Sequence, residues 1–186
     1  MRWALFIAVT AVLCASGLYW LTRAPSMPLA AQPGTGPEVT LVLFSDQGQR
    51  LQTAAIRKIV DTDAEWRSQL TGEQFDVTRR KATESPFHNL YWNQHDKGIY
   101  RCICCGNALF RSQEKFDSDT GWPSFFAPIA PENIALAPDL SIGLVRTEVL
   151  CRKCDAHLGH VFDDGPPPTG QRYCLNSAAL YFVPSK

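Results

Sequence analysis

The sequence predicts a mainly β domain of short antiparallel strands, with two short helices at its start and a metal site pinning it. Three observations carry this reading. From Ile99 onward the apolar residues come in short runs broken by Gly, Pro, Asn and Asp, as at 108–110, 144–149 and 178–183, the texture of strands joined by tight turns. The strand–helix alternation that a doubly wound sheet needs is missing. Four of the seven cysteines form two C-x-x-C pairs, Cys102/Cys105 and Cys151/Cys154, a spacing that points two pairs of soft ligands at one tetrahedral ion.

The 186 residues hold one domain plus a leader, and 45% hydrophobic with 19% charged residues is ordinary for a globular chain. Arg2 precedes a nearly unbroken apolar stretch, 3–21, closed by Thr22 and Arg23. Its length suits a membrane-spanning helix, and it also resembles a long signal peptide, with a weak cleavage signal at 29–31. Leu13 before Cys14 gives no lipoprotein signal. Segment 1–23 is therefore expected to be a membrane anchor or signal peptide. The positive charge on its short side predicts an extracytoplasmic catalytic domain, periplasmic in a bacterium. Residues 24–61 read as a linker and short N-terminal extension. Its Pro- and Gly-rich part, 24–37, is expected to be extended; 40–44 reads as a strand and 51–60 as a strand or a helix. The third segment, 62–186, is the domain that carries the chemistry. Thr62/Glu65 and Thr71/Gln74 have capping-box spacing, which predicts helices over 63–70 and 72–81 with Trp66, Leu70, Phe75 and Thr78 facing inward.

Each cysteine pair makes a knuckle whose two-residue spacer lets both sulfurs face one ion, and Gly106 can supply the positive φ that such a turn needs. Two knuckles close a four-sulfur tetrahedron with no open position, so the implied Zn²⁺ is structural. The long gap between knuckles places whole strands between them. The alternative is a disulfide in or between the pairs, which an extracytoplasmic location favours. Cys104 reads as a buried free thiol.

Cys174 stands apart. In a strand, Arg172, Cys174 and Asn176 share a face, presenting guanidinium, thiol and amide in a row. His157 and His160 lie upstream as proton donors. Residues 121–125 form a turn whose Trp122 can wall a small apolar group. Taken singly, a lone Cys is a buried thiol, a lone His is structural and Trp122 is core; the grouping is what indicates a nucleophile site.

Residues 115–125 (KFDSDTGWPSF), 146–162 (RTEVLCRKCDAHLGHVF) and 170–177 (GQRYCLNS) carry a resemblance to the B-type methionine sulfoxide reductases, peptide-methionine (R)-S-oxide reductases, over about 62–186. The resemblance implies two antiparallel sheets closing around the site, with short N-terminal helices. It implies that Cys174 attacks the sulfoxide sulfur, that His160 protonates the oxygen with His157 assisting, and that Asn176 holds a water or the oxygen. Arg172 would stabilise the thiolate. Trp122 would hold the methyl group, with Phe125 and Asp164 also at the substrate. The implied partners are oxidised proteins and a thioredoxin-like reductant, with the membrane reached through the leader and the chain a monomer. The family often has a resolving cysteine just before GWPSF. Here that place holds Thr120, so direct reduction of Cys174 by an external dithiol is expected. A rival reading is a non-enzymatic zinc-containing β module with Trp122 in an aromatic cage. Another is a zinc-ribbon nucleic-acid binder. The zero net charge argues against nucleic acid, and the short basic runs at 57–58 and 79–81 read as solvated helix faces.

Overall fold

The computed structural model describes residues 34–185 apart from 142 and 144. The leader expected over 1–23 and most of the linker expected over 24–37 lie outside the described residues. Among the described residues no helix is long and apolar enough to cross a membrane.

The fold is mainly β, and every strand pairing is antiparallel. Strands β1 (Glu38–Phe44) and β2 (Arg50–Arg57) form a hairpin. Helices α1 (Asp63–Gln69) and α2 (Gly72–Arg80) follow. Next come β3 (Gly98–Cys102), β4 (Ala108–Arg111), β5 (Lys115–Phe116), β6 (Ser124–Phe125) and β7 (Ile134–Asp139). The chain closes with β8 (Arg146–Cys151), β9 (His157–Phe162), β10 (Arg172–Leu175) and β11 (Leu180–Pro184). One sheet has the order β5-β6-β10-β9-β8-β7 and the other β11-β3-β4.

The sheets close over an aromatic core. Tyr100 and Phe110 of the smaller sheet meet Phe125 of the larger at ring separations of 5.0 and 4.7 Å. Leu158, Val149 and Leu175 fill the space beside them. Phe125 is fully buried in this contact, so it backs the reactive strand and does not line a substrate site. That corrects its expected role; burying so large a ring against two others stabilises the fold more than it could serve a small ligand.

Both capping boxes form. The Thr62 hydroxyl accepts from Glu65 N and the Glu65 carboxylate accepts from Thr62 N, and Thr71 with Gln74 repeats the arrangement. Helix α2 stops where Lys81 turns left-handed at φ 58°. Trp66, Phe75 and Thr78 face the core as expected, with Leu70 packed at its edge. Arg79 stacks on Trp66 at 3.8 Å, joining the two short helices.

The segment over 51–60 resolves as a strand. The hairpin it forms with β1 is tied to the core through Asn133, which is fully buried. Asn133 Oδ1 accepts from Val42 N, and its Nδ2 donates to the carbonyls of Val42 and Ala108. The expected strands at 144–149 and 178–183 both begin later than the apolar pattern suggested. Val145 lies in the β7–β8 turn, and Ser177–Ala179 form a single 3-10 turn before β11.

One irregularity positions the chemistry. Along β8 and β9, Val149 pairs Gly159 but the next residue, Leu150, pairs His157, so Leu158 is an extra, bulged residue. In an unbroken strand His157 and His160, three residues apart, would face opposite sides. The bulge restores them to one side, with ring centroids 5.3 Å apart.

Candidate active site and metal centre

The two knuckles are near-copies. Gly106 N donates to Cys102 O and Asp155 N to Cys151 O, both at 2.9 Å, and Gly106 (φ 72°) and Asp155 (φ 53°) take the left-handed conformation that closes each turn. Glycine meets this need without strain, and aspartate is among the side chains that tolerate it. All four cysteines are buried and their sulfurs converge. Cys102 and Cys154 Sγ lie 3.7 Å apart, and Cys105 and Cys151 Sγ 3.5 Å. A tetrahedron with metal–sulfur bonds of about 2.3 Å has edges of about 3.8 Å. A disulfide needs about 2.05 Å. The separations therefore fit a metal-ligating set compatible with zinc and correct the disulfide alternative. Donors from other elements offset the sulfur charge: Asn107 Nδ2 reaches Cys151 Sγ at 3.6 Å and Arg79 Nη2 reaches Cys154 Sγ at 3.5 Å. Cys104 is buried outside the four-sulfur set.

The second site is a small cleft of about 150 Å³, with Cys174, His160, Trp122, Arg146, Thr83 and Asn176 among its walls. It is smaller than a typical ligand pocket and of a size for one side chain. The sheet register builds it. Cys174 on β10 sits opposite Ser124 on β6 and His160 on β9, and His160 sits opposite Glu148 on β8. Cross-strand partners share a face, so hydroxyl, thiol, imidazole and carboxylate make a transverse row. Close approach of β10 to β9 depends on Gly159. A Cβ there would lie 2.1 Å from the Cys174 carbonyl oxygen, at a φ of 154°.

Arg172 shares the Cys174 face as expected, and its guanidinium grips Asp164 through two hydrogen bonds of 2.8 Å while lying over the Phe162 ring. Asp164 thus fixes the arginine. Burial pushes the Cys174 thiol up, and the Arg172 charge with hydroxyls of Thr120 and Ser124 only partly offsets it.

His160 Nε2 lies 2.7 Å from Asp139 Oδ2. Hydrogen bonds from Ser141, then from His160 and Arg146, hold the Asp139 carboxyl well below the usual carboxylate range. His157 is buried deeper. Its Nδ1 meets Glu148 Oε1 at 2.7 Å, and Lys81 Nζ caps the other oxygen of the same carboxylate. Burial pushes the His157 imidazole below its ordinary value despite Glu148. Its Nε2 has no partner among the described residues.

Asn176 borders the cleft but its amide is engaged. Oδ1 accepts from Glu84 N, and Nδ2 donates to Leu158 O. These two bonds frame the cleft wall and use one acceptor site of Oδ1 and one hydrogen of Nδ2. Trp122, half-buried, donates Nε1 to Glu84 O at 3.1 Å. Glu84 therefore braces both walls, and its carboxylate accepts from Ser177 N and Ala178 N.

Sequence reasoning missed Glu84, Asp139, Arg146 and Glu148. For Glu148, strand alternation across 146–151 was an available signal. Glu84 offered none, since its partners lie 38 to 94 positions away.

The SelR domain family matches residues 70–184. A peptide methionine sulfoxide reductase MsrB of Herminiimonas arsenicoxydans is 58% identical over 125 residues, 67% of this chain and 91% of that protein. The protein of the same description from Hahella chejuensis is 59% identical over 125 residues, covering 67% of this chain and 90% of its own length. One from Pseudomonas fluorescens strain Pf-5 is 55% identical over 129 residues, 69% of this chain and 99% of its own.

Proposed function

The chain belongs to the SelR-domain family of MsrB-type peptide methionine sulfoxide reductases, and from that membership we propose how the cleft around Cys174 reduces its substrate. The activity is that of a peptide-methionine (R)-S-oxide reductase, which removes the rival reading of a non-enzymatic binding module. The observation that carries the mechanism is the register that sets Cys174 directly opposite His160 in a cleft sized for one side chain.

The oxidised methionine enters with its methyl group against Trp122. The Cys174 thiol passes its proton to His160, favoured by Arg172, and the sulfur attacks the sulfoxide sulfur to form a sulfur–sulfur bond. The sulfoxide oxygen needs a proton as its bond polarises, and His160, held by Asp139, supplies it. The hydroxyl then passes from the substrate sulfur to the Cys174 sulfur as the substrate sulfur–oxygen bond and the new sulfur–sulfur bond break, so methionine leaves with both electrons from Cys174 and the cysteine is left as a sulfenic acid. Glu148 fixes the orientation of His157, which packs edge-on against His160 and sets its ring plane.

Thr120, at the place where the family often carries a resolving cysteine, offers only a hydroxyl beside Cys174. The sulfenic acid is therefore reduced by an external dithiol of thioredoxin type, which becomes a disulfide and releases water. The apolar leader supports an extracytoplasmic position for this exchange, with a donor in the same compartment. Zinc is the ion proposed for Cys102, Cys105, Cys151 and Cys154; when bound, it cross-links two distant turns and takes no part in the reaction.

Separate R and S epimers of a blocked methionine sulfoxide, given with dithiothreitol to the metal-loaded protein, test this reading. Turnover of the R epimer alone, abolished in Cys174→Ser, is expected. A stoichiometric Cys104–Cys174 disulfide after one turnover without reductant, seen by mass spectrometry, would overturn direct recycling.

A further inference from the structure

Three hydroxyls on the protein side of Cys174 take no part in the reaction as described above. Ser124, fully buried, is the cross-strand neighbour of Cys174. Thr120 and Ser124 both turn their hydroxyls to its sulfur. Ser118 joins the two: its Oγ lies 2.8 Å from Thr120 Oγ1 and 2.7 Å from Ser124 Oγ. Asp119 (φ 57°) and Gly121 (φ 83°), both left-handed, fold this segment back so that Ser118 and Thr120 converge on β6.

Counting hydrogens shows what such a chain can do. A hydroxyl carries one hydrogen and has lone pairs for two more bonds. Ser118 has a single hydrogen for two neighbours, so it donates to one and accepts from the other. One end of the chain then keeps a hydrogen to give to Cys174, and the other end faces it with lone pairs alone. The Ser124 hydroxyl also approaches the Trp122 carbonyl at 3.2 Å, the longest of these contacts and the one the chain can forgo. A thiolate only accepts, and it can use one end. A sulfenic acid has an oxygen that accepts and a hydrogen that it donates, so it uses both ends. The result is a closed circuit of hydrogen bonds, in which each bond strengthens the next.

Resting on the reductase reading, we propose that Ser118 is a positioning residue, which links Thr120 and Ser124 into a hydroxyl chain that holds the sulfenic acid formed on Cys174. Rotation about the Cβ–Sγ bond carries the new S–O–H group from the cleft to this chain. The sulfur keeps its open side toward the cleft, where the external dithiol attacks it and the sulfur–oxygen bond breaks to release water. The held hydrogen also protects the sulfur. Hydrogen peroxide converts a sulfenic acid to a sulfinic acid by giving up one oxygen, with water as the other product. The electron-rich sulfenate anion attacks peroxide faster than the neutral acid, so a chain that retains the hydrogen slows this loss. Where the family often has a second thiol that consumes the sulfenic acid, this protein has a hydroxyl that preserves it.

The test begins with one turnover of the full-length metal-loaded enzyme on the R epimer of blocked methionine sulfoxide, without reductant. The methionine formed is measured, and the Cys174 sulfenic acid is trapped with dimedone and identified by mass spectrometry. A second portion receives hydrogen peroxide, and the growth of sulfinic acid is followed against pH. In Ser118→Ala sulfinic acid should form about tenfold faster at neutral pH, the effect of losing one bond to the intermediate. The midpoint of its pH profile should fall. Ser118→Thr, which keeps the hydroxyl, should restore both values. Arg172 and His160 also face Cys174, and these substitutions leave them in place. Thr120→Val opens the chain at another member and should match Ser118→Ala; it carries the test if metal content and melting temperature show that Ser118→Ala does not fold. An unchanged sulfinic rate and midpoint in a folded variant would overturn the holding chain. One equivalent of methionine with no trappable sulfenic acid in the unmodified enzyme would overturn it too. No methionine from the unmodified enzyme would instead overturn the reductase reading and the chain's role with it.

Discussion

The metal centre and the reactive cleft use the same functional group in opposite ways. In the centre four buried sulfurs face one another, and neighbouring donors from Asn107 and Arg79 complete their surroundings. Nothing from outside can approach. In the cleft a single half-buried sulfur, Cys174, has Arg172, Thr120, Ser124 and His160 on the protein side and open space on the other. A closed shell around sulfur suits a staple; a shell left open on one side suits the nucleophile proposed for Cys174. Chemistry follows from how many neighbours the sheet register supplies, not from the cysteine itself.

Crossing substitutions between the two regions should give the largest effects and break the comparison if they do not separate. Cys151→Ser should lose the metal, measured by elemental analysis, and at least about 4 kcal/mol of folding stability, because metal binding and folding are one process in such sites. Cys174→Ser should keep the metal and move the melting temperature by no more than about 2 °C, while losing about a thousandfold or more in kcat/KM. Loss of metal in Cys174→Ser would show that the two regions are not independent.

Arg172→Ala sharpens the electrostatic half of the contrast. The Cys174 thiol already stands above the ordinary cysteine value because burial outweighs the arginine charge. Removing the positive charge disfavours thiolate further, so the midpoint of iodoacetamide alkylation against pH should move upward in Arg172→Ala. A midpoint that stays put would mean that Arg172 serves only to bind Asp164.

The smallest expected effect concerns pH. The His157 value is lowered by burial, so the folded state binds its proton less readily than the unfolded state. Its contribution to stability is complete above the unfolded histidine value of about 6.5 and is lost as pH falls through that range toward the folded value. Melting temperature should therefore decline between neutral and mildly acid pH, and the decline should be shallower in His157→Gln. The groups facing this imidazole are Glu148, Lys81 and His160. An unchanged slope would assign the decline to one of them.

Much of both regions was legible before the fold. The C-x-x-C spacing works within a single turn, so Cys102, Cys105, Cys151 and Cys154 could be named from local sequence alone. The capping boxes are equally local and formed as read. Within β10, alternation placed Arg172 and Cys174 on one face. The packing of Phe125 against Tyr100 and Phe110, and the bonds of Asn176 to Glu84 and Leu158, were not legible because those partners lie far along the chain. The bulge at Leu158, which brings His157 and His160 to the same side, is a property of a pair of strands and has no signature in either one.

The sequence by itself determined which atoms can react and which can ligate: thiols, imidazoles and carboxylates, with the short-range turns and caps whose hydrogen bonds close within a few residues. Tertiary structure alone decided which of these groups meet. The row Ser124–Cys174–His160–Glu148 comes from four strands in register, and the braces Glu84, Asp139 and Asn133 each join segments that only the closed sheets bring together. Local hydrogen bonds are set by chain geometry over one turn, whereas cross-strand neighbours are chosen by burial of the whole apolar core, and that choice is not written at any single position.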